Sequence, residues 1–244
     1  MRRYCHVFSL VSALCAFGLA QPAYSSLIYT FTDASGLAAE AEFTVLNPTT
    51  LQIRLRNTST GLPGGFDNSD QLLTGLSWDF GLAGSNVGDI FITGGGALIG
   101  PTSASDNFST GAYGAGTDIG GEWGYGNGGM SGNIQNFISG NQSGTTAFGG
   151  ANLDGPLVLD GPQGGLVSNS FSLALGGLGA IRDELVATVT LSAAYSEAQL
   201  QLDIQNHGVQ VEFGSDAAFI KVPAPGARLL CGLAGLGRRR RRSA

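Results

Sequence analysis

Between residues 26 and 220 the chain has no cysteine and no lysine, a single histidine (His207) and only three arginines (Arg54, Arg56 and Arg182). These gaps exclude much chemistry. Without a thiol there is neither a disulfide framework nor a cysteine nucleophile, and one imidazole cannot build a His-rich zinc site. The only lysine, Lys221, sits just past this stretch, so Schiff-base chemistry has no residue to use. A Ser-His-Asp site would have to employ His207, and no strained nucleophile motif accompanies it. His207 reads instead as a solvated residue of a tight turn. Three arginines stand against eighteen acids here, a net charge near −15. Phosphate binding needs a basic footprint, so nucleic acid is excluded as a partner.

The basic residues lie mostly at the ends. Arg2 and Arg3 precede an apolar stretch, Val7 to Leu19, and Ala23-Tyr24-Ser25 supplies small residues before Ser26. That order is a secretory signal, so residues 1–25 are expected to be removed by signal peptidase. Residues 221–244 contain Val222-Pro223-Ala224-Pro225-Gly226, an apolar run from Ala227 to Gly237, then Arg238, Arg239, Arg240, Arg241 and Arg242. As a helix that run covers about 16 Å, against a hydrocarbon core of about 30 Å. A basic block after it stays on the cytoplasmic side. The tail therefore suits a transient inner-membrane insertion better than a permanent anchor. Cys5, Cys15 and Cys231 all fall within these two ends.

Those tail residues resemble the PEP-CTERM class of sorting signals, which exosortases read in Gram-negative bacteria. Val222, Pro223 and Pro225 match its four-residue motif, and Ala224 stands where the class usually has Glu. The resemblance covers about a tenth of the chain. It implies an exosortase-type processing enzyme as partner and a strand-rich domain delivered to the cell surface or extracellular matrix. Ile204 to Gly214, just before the motif, also looks like such proteins.

Residues 26–220 read as β almost throughout. Ala41–Val45 and Leu51–Arg56 alternate around Asn47-Pro48-Thr49. Pairing Leu46 with Thr50 sets Val45 opposite Leu51 and Phe43 opposite Ile53 on one face. It sets Glu42 opposite Arg54 and Glu40 opposite Arg56 on the other, so one register satisfies both faces. Arg54 and Arg56 are therefore structural, and Arg54→Glu is expected to cost at most about 1 kcal/mol. Leu200, Leu202 and Ile204 alternate, as do Val209, Val211 and Phe213, and Asn206-His207-Gly208 between them predicts a second hairpin. Leu27–Phe31, Leu72–Phe80, Phe171–Leu175 and Leu185–Leu191 read as further strands. From Gly111 to Gly132 ten of 22 residues are Gly, which cannot support a helix. The expected architecture is a single antiparallel β-sandwich, jelly-roll-like, with a Gly-rich loop insertion over Gly94–Gly165 that suits long loops or short edge strands laid over the sandwich.

Binding candidates are few. Trp123 and Tyr125, beside Glu122 in the Gly-rich stretch, are the sugar-stacking candidates, and they require both rings exposed on one face. Trp78 alternates onto an apolar strand face and reads as core. Asp67 and Asp70, in Asp67-Asn68-Ser69-Asp70, offer oxygen ligands of the kind calcium takes, although acidic turns have the same composition. A two-carboxylate glycosidase lacks an identifiable acid pair, with Glu184 and Glu197 no better than other choices. The sequence thus points to a non-enzymatic exported surface protein without a resident cofactor. An exopolysaccharide-binding module and a secreted glycosidase are the alternatives. Any sugar or cation site is expected in the Gly-rich middle, because the strand faces alternate too regularly to leave a concave polar site.

Overall fold

Asn47-Pro48-Thr49 turns the chain back on itself. The Asn47 side chain accepts the Thr49 N–H at 3.0 Å, fixing the turn. Val45 pairs with Leu51, Phe43 with Ile53, Glu42 with Arg54 and Glu40 with Arg56, as expected. A bulge after Val45 replaces the expected Leu46–Thr50 pair with Asn47–Thr50.

The computed structural model describes residues 25–60, 68–79, 90–128, 135–155, 159, 162–169 and 178–222. In chain order its strands are β1 (Ser26–Thr32), β2 (Ala38–Asn47), β3 (Thr50–Asn57), β4 (Leu73–Trp78), β5 (Ile92–Ile99), β6 (Ser105–Asp106) and β7 (Gly124–Gly126). They continue with β8 (Asn136–Ser139), β9 (Thr146–Ala147), β10 (Leu166–Val167), β11 (Ala180–Arg182), β12 (Glu184–Leu191), β13 (Val209–Phe213) and β14 (Ala218–Val222). One α-helix, α1 (Glu197–His207), stands among the described residues. The first sheet has the order β1-β2-β3-β12-β5. The second runs β6-β11-β10-β4-β8-β7-β9, with β13 on β4 and β14 on β13. The fold is all-β and sandwich-like, its sheets curling into a half-barrel.

Period-two alternation builds the core. Phe43, Leu51, Ile53, Leu55, Leu185, Ala187 and Val189 point inward from the first sheet and are buried. They meet Leu76, Trp78, Val209 and Val211 of the second sheet in one cluster. Phe43 and Trp78 pack edge to face across the sheets at 5.5 Å and 70°, a geometry worth about 0.5–1.5 kcal/mol beyond the area buried. Trp78 is core, as its strand phase predicts.

The second predicted hairpin is wrong in its first arm. Residues 200–205 belong to α1, not to a strand. Ser196 caps the helix by accepting the Gln199 N–H, and Gly208 ends it at φ +87°. Ser196-x-x-Gln199 is the reciprocal-cap spacing, and Gly is the usual residue past a helix end. Alternation at 200, 202 and 204 imitated a strand, but the buried positions are Leu200, Asp203 and Ile204, while Leu202 is 53% exposed. Helical i,i+4 spacing wins because only one face has a sheet to pack on. The second arm does pair, with β14 and β4.

The Gly94–Gly165 stretch is not a loop insertion; the edge-strand alternative fits it better, since β5 edges the first sheet and the short β6 and β9 end the second. It supplies most of β5 to the first sheet and β7, β8 and β9 to the second, and Ile119, Trp123 and Ile138 from it are fully buried. Glycine here lets backbones approach, so a side-chain-poor segment is tightly packed. Phe171–Leu175 and Phe80 lie outside the described residues. No helix among the described residues is long and apolar enough to cross a membrane.

Candidate functional site

The outer face of the first sheet carries the largest concentration of charge described. Register places Ile28, Glu42, Arg54, Val186 and Leu98 in one row across five strands. A neighbouring row runs Ser26, Thr44, Gln52, Thr188 and Gly96, and the opposite one holds Thr30, Glu40, Arg56 and Glu184. Glu184 is fully buried. Its Oε2 accepts from Arg54 Nε at 2.7 Å and lies 3.3 Å from Arg56 Nε. Arg54 also faces Glu42 at 3.8 Å, and Arg56 faces Glu40 at 3.5 Å. The bond to Glu184 holds the Arg54 guanidinium more firmly protonated than usual, against the opposing effect of burial.

Glu184 Oε1 has no hydrogen-bond partner. It packs on Gly100, where an added Cβ would lie 2.3 Å from that oxygen. Only glycine fits there. A carboxylate so enclosed and bound to two guanidiniums is a charged strut, since removing either partner would strand a buried ion. The hairpin pairs were visible in the sequence. Glu184 was not, because it joins through β12, 130 residues from Arg54.

Beside this network lies a groove of about 480 Å³. Glu42, Thr44, Gln52 and Arg54 line it from β2 and β3, and Val186, Leu98 and Pro101 from β12 and the β5 region. The segment after β5 forms its wall, because Ile99 and Gly116 bond back along that strand. Strand faces do leave a concave polar site, contrary to the sequence reading. The alternation is regular, and relief comes instead from the segment paired alongside β5, whose Pro101 and Gly116 bound the groove.

A second cavity of about 520 Å³ lies at the start of α1. Its polar lining is Tyr195, Ser196, Gln199 and Asp203. The Tyr195 hydroxyl and the Gln199 amide both donate to the buried Asp203 carboxylate. Burial, reinforced by Asp203, pushes Tyr195 ionisation far above its ordinary range. The cluster clamps the first helical turns and holds the phenol as a neutral donor.

Trp123 and Tyr125 do not form a stacking platform. Trp123 is fully buried, and its indole N–H donates to the Gly164 carbonyl at 2.9 Å. Tyr125 is half-buried, its ring tilted on Phe148 at 5.5 Å. Glu122 is buried and accepts from the Leu153 N–H. The Asn68 side chain accepts the Asp70 N–H at 2.7 Å. Asp67 lies outside the described residues, and no cluster of three or more metal-type ligands occurs among those described. His207 is the last residue of α1 rather than a turn residue. Of the Val222–Gly226 segment only Val222 is described, ending β14 opposite Val209. Pro223, Ala224, Pro225, Gly226 and Arg238–Arg242 lie outside the described residues.

Sequence reasoning also missed Glu212 on β13, which is 1% exposed. Oε1 accepts the Asp216 N–H at 3.0 Å, and Oε2 has no partner. Burial, more than its hydrogen bonds can offset, pushes this carboxyl up to about 7.

Comparison with known proteins adds no identity. No family model, curated protein or solved structure matches the chain.

Proposed function

We propose that the chain is a non-enzymatic exported protein of the cell surface or extracellular matrix, sorted in a Gram-negative bacterium by an exosortase-type system. The observation that carries this reading is the order of its parts. A basic-apolar-small start, an acidic cysteine-free β domain, and a Val222-Pro223-Ala224-Pro225-Gly226 motif with an apolar run and Arg238–Arg242 follow one another. On this reading residues 1–25 are the export signal and residues 26–220 a jelly-roll-like sandwich. Residues 221–244 are the sorting signal, with a short apolar helix that enters the inner membrane transiently.

Glu184 is bound to Arg54 and Arg56, Asp203 to Tyr195 and Gln199, and Glu122 to a backbone N–H, which supports a structural role for these three acids. The test is the intact mass of protein from the native host's surface fraction. The expected species starts at Ser26 and lacks the basic cluster. Surface protein that still carries Cys231 and Arg238–Arg242 would refute the sorting reading.

A further inference from the structure

We propose that the groove on the outer face of the first sheet binds a neutral polysaccharide chain. This does not depend on the sorting reading. The row Ile28–Glu42–Arg54–Val186–Leu98 crosses five strands, so at about 4.8 Å per strand it extends about 19 Å. Ile28 at one end is 57% exposed and Leu98 at the other 44%, two of the four exposed large apolar side chains described. Single exposed apolar residues are ordinary; here Leu98 and Val186 line the groove itself, and Ile28 continues the same row beyond its lining. The groove volume lies within the range of ligand sites.

The lining chooses among occupants. A lipid or apolar peptide would take the Glu42–Arg54 pair and the Gln52 amide out of water and offer them no new hydrogen bonds. An added β-strand needs a free sheet edge, and this site lies on a face. An acidic polymer meets three glutamates against two arginines here, on a domain near −15 overall. A neutral glycan fits. Its hydroxyls both donate and accept, which matches the carboxylate of Glu42, the amide of Gln52, the hydroxyl of Thr44 and the guanidinium of Arg54. Its C–H faces pack on Leu98, Val186 and Pro101. The length of the row favours an extended chain over a monosaccharide.

The full-length chain would be screened on an array of neutral chains (glucans, mannans, galactans) and acidic ones (polyuronates, sulfated glycans). Hits would be quantified by calorimetry, and a melting curve for each variant would check folding. Binding to at least one neutral chain is expected. Gln52→Ala, and Ile28→Ser together with Leu98→Ser, should each weaken it by about tenfold or more. Four results would overturn the proposal: no neutral chain bound, acidic chains bound equally well, binding unchanged in both variants, or a dimer that Ile28→Ser with Leu98→Ser dissolves while glycan binding stays the same.

Discussion

Replacing Glu212 with glutamine should reverse the sign of a pH effect. Glu212 lies on β13, 1% exposed, with the Asp216 N–H on Oε1 and the Asn141 side chain beside the carboxyl, while Oε2 makes no well-aligned hydrogen bond. Its folded pKa is raised to about 7 from 4.5, so the folded protein holds this proton where the unfolded chain has released it. The stabilisation is complete below the unfolded value. It declines as pH rises from about 4.5 to 7 and levels off above, since in that window the native state binds more protons. The difference of about 2.5 units corresponds to about 3 kcal/mol. A glutamine side chain would keep the acceptor for the Asp216 N–H and abolish the titration. Its amide N–H₂ would occupy the partnerless position, at a cost of about 1–2 kcal/mol. The variant is therefore expected to be less stable than the parent by about 1–2 kcal/mol at pH 4.5 and more stable by a similar amount at pH 8. Urea unfolding of both proteins at pH 4.5, 6 and 8 measures this. Subtracting the curves removes the contribution of Asp79, whose carboxyl is also raised by burial, and of every other shared group. A difference that stays constant with pH would refute the assignment of a buried proton to Glu212.

Three further expectations concern stability. Arg54→Glu should cost about 3 kcal/mol or more by denaturant unfolding, well above the 1 kcal/mol expected from an exposed pair, because it leaves Glu184 buried beside a new acid. Gly100→Ala should cost about 1–3 kcal/mol through collision with Glu184 Oε1, and Glu184→Ala in the same chain should relieve the collision, giving a non-additive cycle. Leu200→Ala should cost about 2–5 kcal/mol and Leu202→Ala less than about 0.5, since α1 buries the first and exposes the second. Equal effects at 200 and 202 would return the segment to a strand.

The β2–β3 hairpin was legible because two constraints agreed on it. Apolar pairs at Phe43–Ile53 and Val45–Leu51 demand one register, and Glu42–Arg54 and Glu40–Arg56 demand the same one. A slip of one residue would have failed both. The segment at 200–204 had only one constraint read. Its alternation fits a strand, and Leu200 with Ile204 fits a helix equally well, so periodicity alone could not decide over five residues. The deciding signals stood outside that window. Ser196 and Gln199 at capping distance, and Gly208 after His207, bound a helix of eleven residues.

The site was hidden for a different reason, which concerns sequence distance. Local alternation reports which side chains share a face, and it correctly put Glu42, Arg54 and Arg56 on the outside of the first sheet. It does not report what lies over that face. Glu184 reaches Arg54 only because β12 pairs with β3, and the groove has walls only because the chain after β5 folds back along that strand. The same blindness misplaced Trp123. Ten glycines in 22 residues look like solvated loop, yet a Cβ added at Gly120, Gly121, Gly124 or Gly126 would collide with a neighbouring segment, and Trp123 among them is buried with its indole N–H on the Gly164 carbonyl. In this chain, then, glycine density marks close packing as much as it marks turns. The open polar surface lies on the regular strands, where the binding experiment must look first.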